Sequence, residues 1–386
     1  MRNKLEMFMN KFKICHITTV HPPFDVRIFH KECKTLAKSG FKVYLIAQHN
    51  KEENKDGVNI IPIPKTNNRI NRIISLPLKA FYKALKLKAD IYHFHDPELI
   101  PICIALRVLG KIVIYDVHEH YSELLFDKLK NYPKNFFTKF IAKLFLEYIP
   151  RFFFNYLIFP TESLKEEYKA NFKSICLVNF PSIEHVNLSE QNEKSKNYDV
   201  VFLGTISPFR MKFIIEVIYQ TTFKKNNIRW LFLGIPASTI NWIYKNYEKK
   251  FIENHIDMIG KVSFEIVLDY LKKSYIGFNY HPYENRFLVA IPMKVFEYMM
   301  VGLPVVTTAL PELKRYLENG YNAILVDSQK PMDYSDAILN LIESPDKARK
   351  IGDAGRNTIL KKLNWECSEQ NKLIYTYKQL LEKKYG

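Results

Sequence analysis

The sequence predicts an α/β protein made of two doubly wound halves, each a mostly parallel sheet with helices on both faces. Three observations predict it. Short apolar runs alternate with helical patterns along nearly the whole chain. The rhythm stops at a polar stretch, residues 185–197, and restarts after it. The 386 residues suffice for two or three domains of roughly 100–200 residues each.

In order, KICHITTV (13–20) reads as a buried strand, followed by a Pro-rich loop and a helix from Ile28 to Ser39 that Gly40 stops. FKVYLIA (41–47) and VNIIPIP (58–64) read as the next strands, and a basic helical region follows. DIYHFH (90–95), a helix around 98–109, KIVIYDVH (111–118), YLIFPT (156–161) and ICLVNF (175–180) complete the first half. HVNLSEQNEKSKN (185–197) reads as a linker. The second half holds YDVVFLG (198–204), IRWLFLG (228–234), IDMIG (256–260), YIGFNY (275–280), LPVVTT (303–308) and NAILV (322–326). The domains are therefore placed at 1–188 and 189–364, and 365–386 reads as a helix able to pack on either half. Two such halves imply a cleft between them, and open α/β sheets take ligands beyond the carboxyl ends of their strands.

Composition narrows the function. Apolar residues make up 47% and charged residues 25%, which excludes a disordered or collagen-like chain. Lys and Arg outnumber Asp and Glu by 57 to 40, so an anionic partner is expected: phosphate, a membrane surface or nucleic acid. Five scattered cysteines without CxxC spacing argue for a reducing compartment and against a zinc ribbon. The N-terminus lacks the apolar core of a secretory signal, and no apolar run is long enough to span a membrane, so a cytoplasmic location is expected.

The sharpest constellation is IPMKVFEYMMVGLPVVTT (291–308). Pro292 suits a first helical turn and Gly302 a stop. Lys294 and Glu297, three apart, share a face: a cation for phosphates and a carboxylate for ribose hydroxyls, or a surface ion pair. In FLGTISPFRMK (202–212), Gly204 ends a strand, and Arg210 and Lys212 follow it as a diphosphate clamp or a solvated basic loop. His281 and Asn285 lie beyond another strand, just before the helix.

In the first half, Asp25 and Arg27 sit in the loop leaving the first strand. His93 and His95 share one face of a strand, as do His118 and His120 if theirs continues. With Asp96, Asp116 and Glu119 nearby, these pairs fit either a hydrolase metal site or hydrogen-bonding residues at a cleft floor. The second half's nucleotide grip has no role in the metal reading.

These segments carry a resemblance. ITTVHPPFDVRIFHKECKTLAKSGFKVYLIA (17–47), DIYHFHDPELIP (90–101), KIVIYDVHEHY (111–121), LVNFPS (177–182), VVFLGTISPFR (200–210) and PMKVFEYMMVGLPVVTTALPELKRYLENGYNAILVD (292–327) resemble retaining glycosyltransferases of family 4, of GT-B fold. More narrowly, they resemble bacterial members that build capsule, O-antigen or exopolysaccharide. The resemblance implies that the second half binds a nucleotide sugar and that the last helix crosses back to the first half. Glu297 matches the ribose-binding glutamate, Lys294 and Arg210 match positions near the donor diphosphate, and His118 matches the histidine lining the donor sugar. Gly204, Lys212, His281 and Asn285 join the donor side; Asp25, Arg27, His95 and Asp96 are placed on the acceptor side. The family's first acid, eight residues before Glu297, is here Val289, with His281, Glu284 and Asn285 as possible substitutes. The glycine pair of the first loop is replaced by Phe24-Asp25-Val26-Arg27.

No DxD-type metal motif is present, so the expected chemistry is metal-independent and needs no cofactor. Residues 65–88 hold seven basic residues and no acid among apolar ones, and 132–154 mix Lys and Arg with Phe. This is the composition of interfacial helices, or of two ordinary amphipathic helices. An acceptor on a polyprenyl diphosphate and an anionic membrane at the inner face of the plasma membrane fit the first; no nucleic-acid module is recognisable. A nucleotide-sugar epimerase and a non-catalytic scaffold of the same fold are the alternatives.

Overall fold

The computed structural model describes residues 9–128, 136–170, 173–184 and 196–386. The first sheet has eight strands: β1 (Lys13–Ile17), β2 (Lys42–Gln48), β3 (Glu53–Lys55), β4 (Val58–Ile63), β5 (Ile91–Phe94), β6 (Ile112–Asp116), β7 (Tyr156–Phe159) and β8 (Ser174–Cys176). Their order is β3-β4-β2-β1-β5-β6-β7-β8. All neighbours run parallel except β3 and β4. Every residue of β5 and β6 is buried, which is why both read as unbroken apolar runs: helices cover the sheet on both faces.

The sequence reading has no counterpart to β3. It arises from the Asp56-Gly57 dipeptide, whose positive φ angles (52° and 79°) close a tight hairpin onto β4. The expected strand at 175–180 is shorter than its apolar run, pairing only at Ser174–Cys176.

The second sheet has six parallel strands: β9 (Tyr198–Leu203), β10 (Trp230–Leu233), β11 (Ile256–Ile259), β12 (Ser274–Asn279), β13 (Val305–Thr308) and β14 (Ile324–Val326), in the order β11-β10-β9-β12-β13-β14. Val200, Phe202, Trp230, Phe232 and Phe278 from the sheet, and Ile214, Ile218 and Ile338 from helices, form its core. Gly277 in β12 has a steric reason. A Cβ there would lie 2.4 Å from the ring of Tyr298, whose hydroxyl accepts from Leu203 N at 2.7 Å and donates to Phe278 O at 3.2 Å.

One compact unit takes the chain up to Asn179 and again from Ser368; the other is Phe180–Cys367. The expected boundary at 188/189, and most of the linker at 185–197, lie outside the described residues. The observed division comes earlier because residues 181–183 are tied into the second unit. Trp365 N donates to Pro181 O, and Glu366 accepts from Ser182 and Ile183. The helix Gln370–Tyr385 belongs to the first unit, as the resemblance implies, burying Leu373, Thr376, Tyr377 and Leu381 along one stripe.

Both sheets reverse their winding once, between β1 and β5 and between β9 and β12. Such switch points open a crevice at the carboxyl ends of the strands.

Candidate functional site

In the second unit, β9 ends at Leu203 and the chain turns at Gly204 with φ +91°. A Cβ on Gly204 would lie 3.6 Å from Lys294 Nζ. Lys294 lies in the first turn of the helix Met293–Met300, which Pro292 precedes as the N-cap, one position before the first turn in which it was expected. Its ammonium also sits 4.1 Å from the centroid of Phe202. Burial, and then the charge of Arg210, push the lysine down to about 7, while Glu297 on the same helix pulls it up.

Arg210 comes from the first turn of the helix Pro208–Lys224 and donates through Nη2 to Tyr280 O at 2.5 Å. Burial and then Arg286 lower it to about 10. Its guanidinium and that of Arg286 lie 5.3 and 4.4 Å from the Phe287 centroid. His281 N donates to Thr308 Oγ1 at 3.0 Å. Burial first, and then Arg210, Lys294 and Arg286, hold the imidazole well below its usual range. Arg210 Nε and His281 Nδ1 are buried without a hydrogen-bond partner among the described residues. Like charges, partly desolvated at a glycine turn on a switch point, are suited to an anion.

Gly204, Arg210, His281, Lys294 and Glu297 are thus brought together within one unit. Lys212 is not: it is exposed, two residues from Arg210 and so about 200° round the helix. Asn285 is exposed at the start of the short helix Asn285–Leu288, and Val289 is buried just after that helix. Sequence reasoning missed Arg286 and Phe287, although NRF in the segment 279–287 was their signal.

In the first unit, Asp116 ends β6 and binds Arg27 bidentately, Nε and Nη2 both at 2.9 Å. Arg27 Nη1 donates to Leu177 O at 2.9 Å, and Nε lies 3.0 Å from Glu32 Oε1. His118 Nε2 stands 3.0 Å from Asp116 Oδ2, and His95 Nδ1 3.2 Å from the same oxygen. Burial favours a protonated Asp116, but the Arg27 charge and then His118 outweigh it and hold the carboxyl well below its usual range. Asp96 Oδ2 accepts from Thr18 Oγ1 at 2.7 Å and Thr19 N at 2.6 Å, fixing the loop after β1. Asp25 Oδ1 accepts from Arg27 N and Ile28 N at 2.8 and 2.9 Å. Burial works against its charge, but the bond to His21 and these N–H groups keep its carboxyl well below the usual range.

Arg27, His95 and Asp96, expected on the acceptor side, are therefore buried and bonded within the unit, because each must satisfy its polar atoms there. Asp25 is less buried but performs a local capping role. His118 is the partly open member, its side chain 12% exposed. His93 and His95 do share a face, and they meet His16 from β1 there, a residue sequence reasoning passed over inside an apolar strand. Among the described residues, two groups bring one potential ligand atom each within 4.8 Å of one another: His16, Glu32, His93 and His95, and His95, Asp116 and His118.

Comparison with known proteins agrees with this division. Residues 26–176 match the family described as Glycosyltransferase Family 4, and residues 186–358 the family Glycosyl transferases group 1. Two uncharacterized glycosyltransferases of Methanocaldococcus jannaschii are similar. One is 25% identical over 227 residues, 56% of this chain and 59% of the relative, so the match spans under two thirds of that protein. The other is 23% identical over 321 residues, 79% of this chain and 78% of the relative. Among solved structures, sucrose-phosphate synthase from Thermosynechococcus elongatus superposes with a TM-score of 0.73 at 14% identity, covering 96% of this chain and 100% of that one. Anabaena Alr3699/HepE in complex with UDP-glucose gives 0.72 at 13% identity, covering 95% and 100%. The two halves of the chain thus match, in order, a Glycosyltransferase Family 4 domain and a Glycosyl transferases group 1 domain, and its fold is GT-B.

Proposed function

We propose that the protein transfers a glycosyl group from a nucleotide sugar to a hydroxyl of a glycan acceptor, with retention of configuration. The bond from the anomeric carbon to the diphosphate oxygen breaks and a bond to the acceptor oxygen forms. The products are a glycoside, a nucleoside diphosphate and a proton. The observation that carries the reading is the pairing of Lys294 with Arg210 at the Gly204 turn: charge of one sign, held partly out of water, which an incoming diphosphate offsets. As the leaving group departs, negative charge grows there, and fixed cations stabilise it without reorganisation. Those cations take the place of a divalent ion, so the transfer is metal-independent. Glu297 binds the ribose hydroxyls, His118 contacts the donor sugar, and the N-terminal unit takes the acceptor. The two domain families and the UDP-glucose complex of a structural neighbour support the nucleotide-sugar donor.

The acceptor we propose is carried on a polyprenyl diphosphate for cell-surface polysaccharide, at the cytoplasmic face of an anionic membrane. No helix of the described residues is long and apolar enough to cross a membrane. On the helix Ser75–Leu87, however, Leu78, Tyr82 and Leu85 form an exposed stripe beside exposed Lys79 and Lys86, and Ile70, Ile73 and Ile74 are exposed just before it. Phe140, Phe145, Phe152 and Phe153 are exposed as well. Apolar groups turned outward among cations favour the interfacial reading over ordinary packing on the sheet.

The direct test is to incubate the full chain with a panel of nucleotide sugars and lipid-linked saccharides, following nucleoside diphosphate release and product anomer by NMR. Release with a retained anomer is expected. An inverted product removes the retaining mechanism. Turnover without acceptor points to an epimerase, and nucleotide binding without transfer to a scaffold.

A further inference from the structure

The first unit contains a cluster for which the proposed transfer has no use. His16 on β1 pairs in register with His93 on β5, and His95 lies two residues further along the same face. Glu32, from the helical segment Ile28–Cys33, covers them. All four side chains are fully buried. One ligand atom from each lies within 4.8 Å of every other.

Two edges of this set fit a small ion. His16 Nδ1 and His95 Nε2 are 3.0 Å apart, and Glu32 Oε2 is 3.9 Å from His16 Nδ1. Four ligands about 2.05 Å from a tetrahedral ion are separated by about 3.3 Å, between these values. The outer nitrogens are held as metal-bound imidazoles require. His95 Nδ1 faces Asp116 at 3.2 Å, and His16 Nε2 faces Tyr377 Oη at 3.3 Å. Tyr377 Oη also meets His93 Nδ1 at 2.6 Å.

A second observation points into the same place. Neither oxygen of Glu32 has a hydrogen-bond partner among the described residues, nor has His93 Nε2. The ion pair with Arg27 leaves Glu32 Oε2 turned to the imidazoles. Arg27 is shared with Asp116, so two buried carboxyl groups face one guanidinium.

We propose that His16, Glu32, His93 and His95 form a buried binding site for one divalent ion of the zinc class, structural in role. Three nitrogens and one carboxylate favour zinc, cobalt or nickel over magnesium and calcium. The ion ties β1, the segment Ile28–Cys33 and β5 together and, through Tyr377, steadies the helix Gln370–Tyr385. Because the site is closed, the ion enters as the unit folds and exchanges slowly.

The test uses the full chain, tag-free, unfolded with chelator and refolded with Zn²⁺, with Co²⁺ or without metal. One ion per chain by elemental analysis is expected, together with the intense visible d–d absorption of tetrahedral Co²⁺. Zn²⁺ should raise the unfolding midpoint by roughly 5 °C or more. Glu32→Gln and His93→Gln should each lose the ion and that rise, whereas His118→Ala keeps both. Wild-type protein with no Co²⁺ spectrum and the same midpoint with and without Zn²⁺ overturns the proposal, whether or not the variants fold. So does uptake that His118→Ala abolishes and Glu32→Gln retains, which would assign the ion to His95, Asp116 and His118. None of these readouts depends on transfer, so the site and the proposed activity stand or fall separately.

Discussion

Lys294 Nζ stands 3.6 Å from where a side chain on Gly204 would begin. The absence of a Cβ lets the ammonium lie against the turn that follows β9, where a diphosphate can touch both backbone and cation. Glycine is also the residue that accepts φ +91° there without strain. The first two predictions follow from this pairing.

Nucleoside diphosphate binding should depend on pH through Lys294. The free lysine titrates at about 7, and a bound dianion raises that value. Affinity is then highest below pH 7 and falls by up to about tenfold per pH unit above it, until the bound-state value is reached. Calorimetric titration between pH 6.5 and 8.5 checks this. Lys294→Arg should flatten the profile, and a flat wild-type profile excludes Lys294 from the diphosphate. Stability carries the opposite sign. Unfolded lysine binds its proton up to about pH 10.5 while folded Lys294 releases it near 7, so ligand-free stability from this group rises with pH between them. Lys294→Met should remove that slope while abolishing donor binding.

Arg210 and Glu297 should fail differently. Glu297 contacts groups that change little during reaction, so Glu297→Gln should weaken donor binding more than it slows turnover. Arg210 faces growing charge, so Arg210→Ala should cut the saturated rate by about 10²–10³-fold. Arg210→Lys should restore only part, since an ammonium cannot clamp two oxygens in one plane. Steady-state kinetics with diphosphate affinities separate these cases. A folded Arg210→Ala enzyme at near wild-type rate places the diphosphate elsewhere.

Turnover should survive excess EDTA and be unchanged by added Mg²⁺ or Mn²⁺. The proposed chemistry gives the charge-stabilising role of a divalent ion to Lys294 and Arg210. Full loss on chelation, restored by either ion, reverses the proposed chemistry. The buried histidine site does not confuse the assay, because a closed site releases its ion slowly.

The full chain should sediment with anionic vesicles and not with neutral ones, and salt should weaken the binding. Leu78→Ser with Tyr82→Ser should reduce it while leaving soluble-nucleotide binding intact. Equal sedimentation with both lipids, or none, removes the membrane from the account.

Gly277→Ala should destabilise the second unit by about 1–3 kcal/mol, because the new methyl displaces the Tyr298 ring and both of its hydroxyl bonds. Thermal unfolding reads it directly. Tyr298→Leu in the same chain should recover part of the loss, and strictly additive effects would show that the two residues do not meet.

Much of this architecture was legible in the sequence. β5, β6, β9 and β10 are apolar runs because both faces of each sheet are covered, and Pro292 and Gly302 mark the ends of one short helix. That Lys294 and Glu297 share a helix face was readable from their spacing. Lys212 adjoins Arg210 in sequence, but at two residues' spacing it falls on another side of the helix Pro208–Lys224. The histidine cluster was only half legible: the HxH spacing pairs His93 with His95, but His16 joins them through the β1–β5 register and Tyr377 from 284 residues beyond His93. No local pattern encodes contacts of that range.

The return of the helix Gln370–Tyr385 to the first unit has a consequence for the order of assembly. The sheet begun first is finished last. While the ribosome makes residues 180–367, the second unit can close on its own, but β1 and β5 still lack the Tyr377 hydroxyl that caps His16 and His93. The nascent chain therefore holds a second unit free to close while the first still lacks part of its core, and the helix Gln370–Tyr385 decides when that first unit is complete.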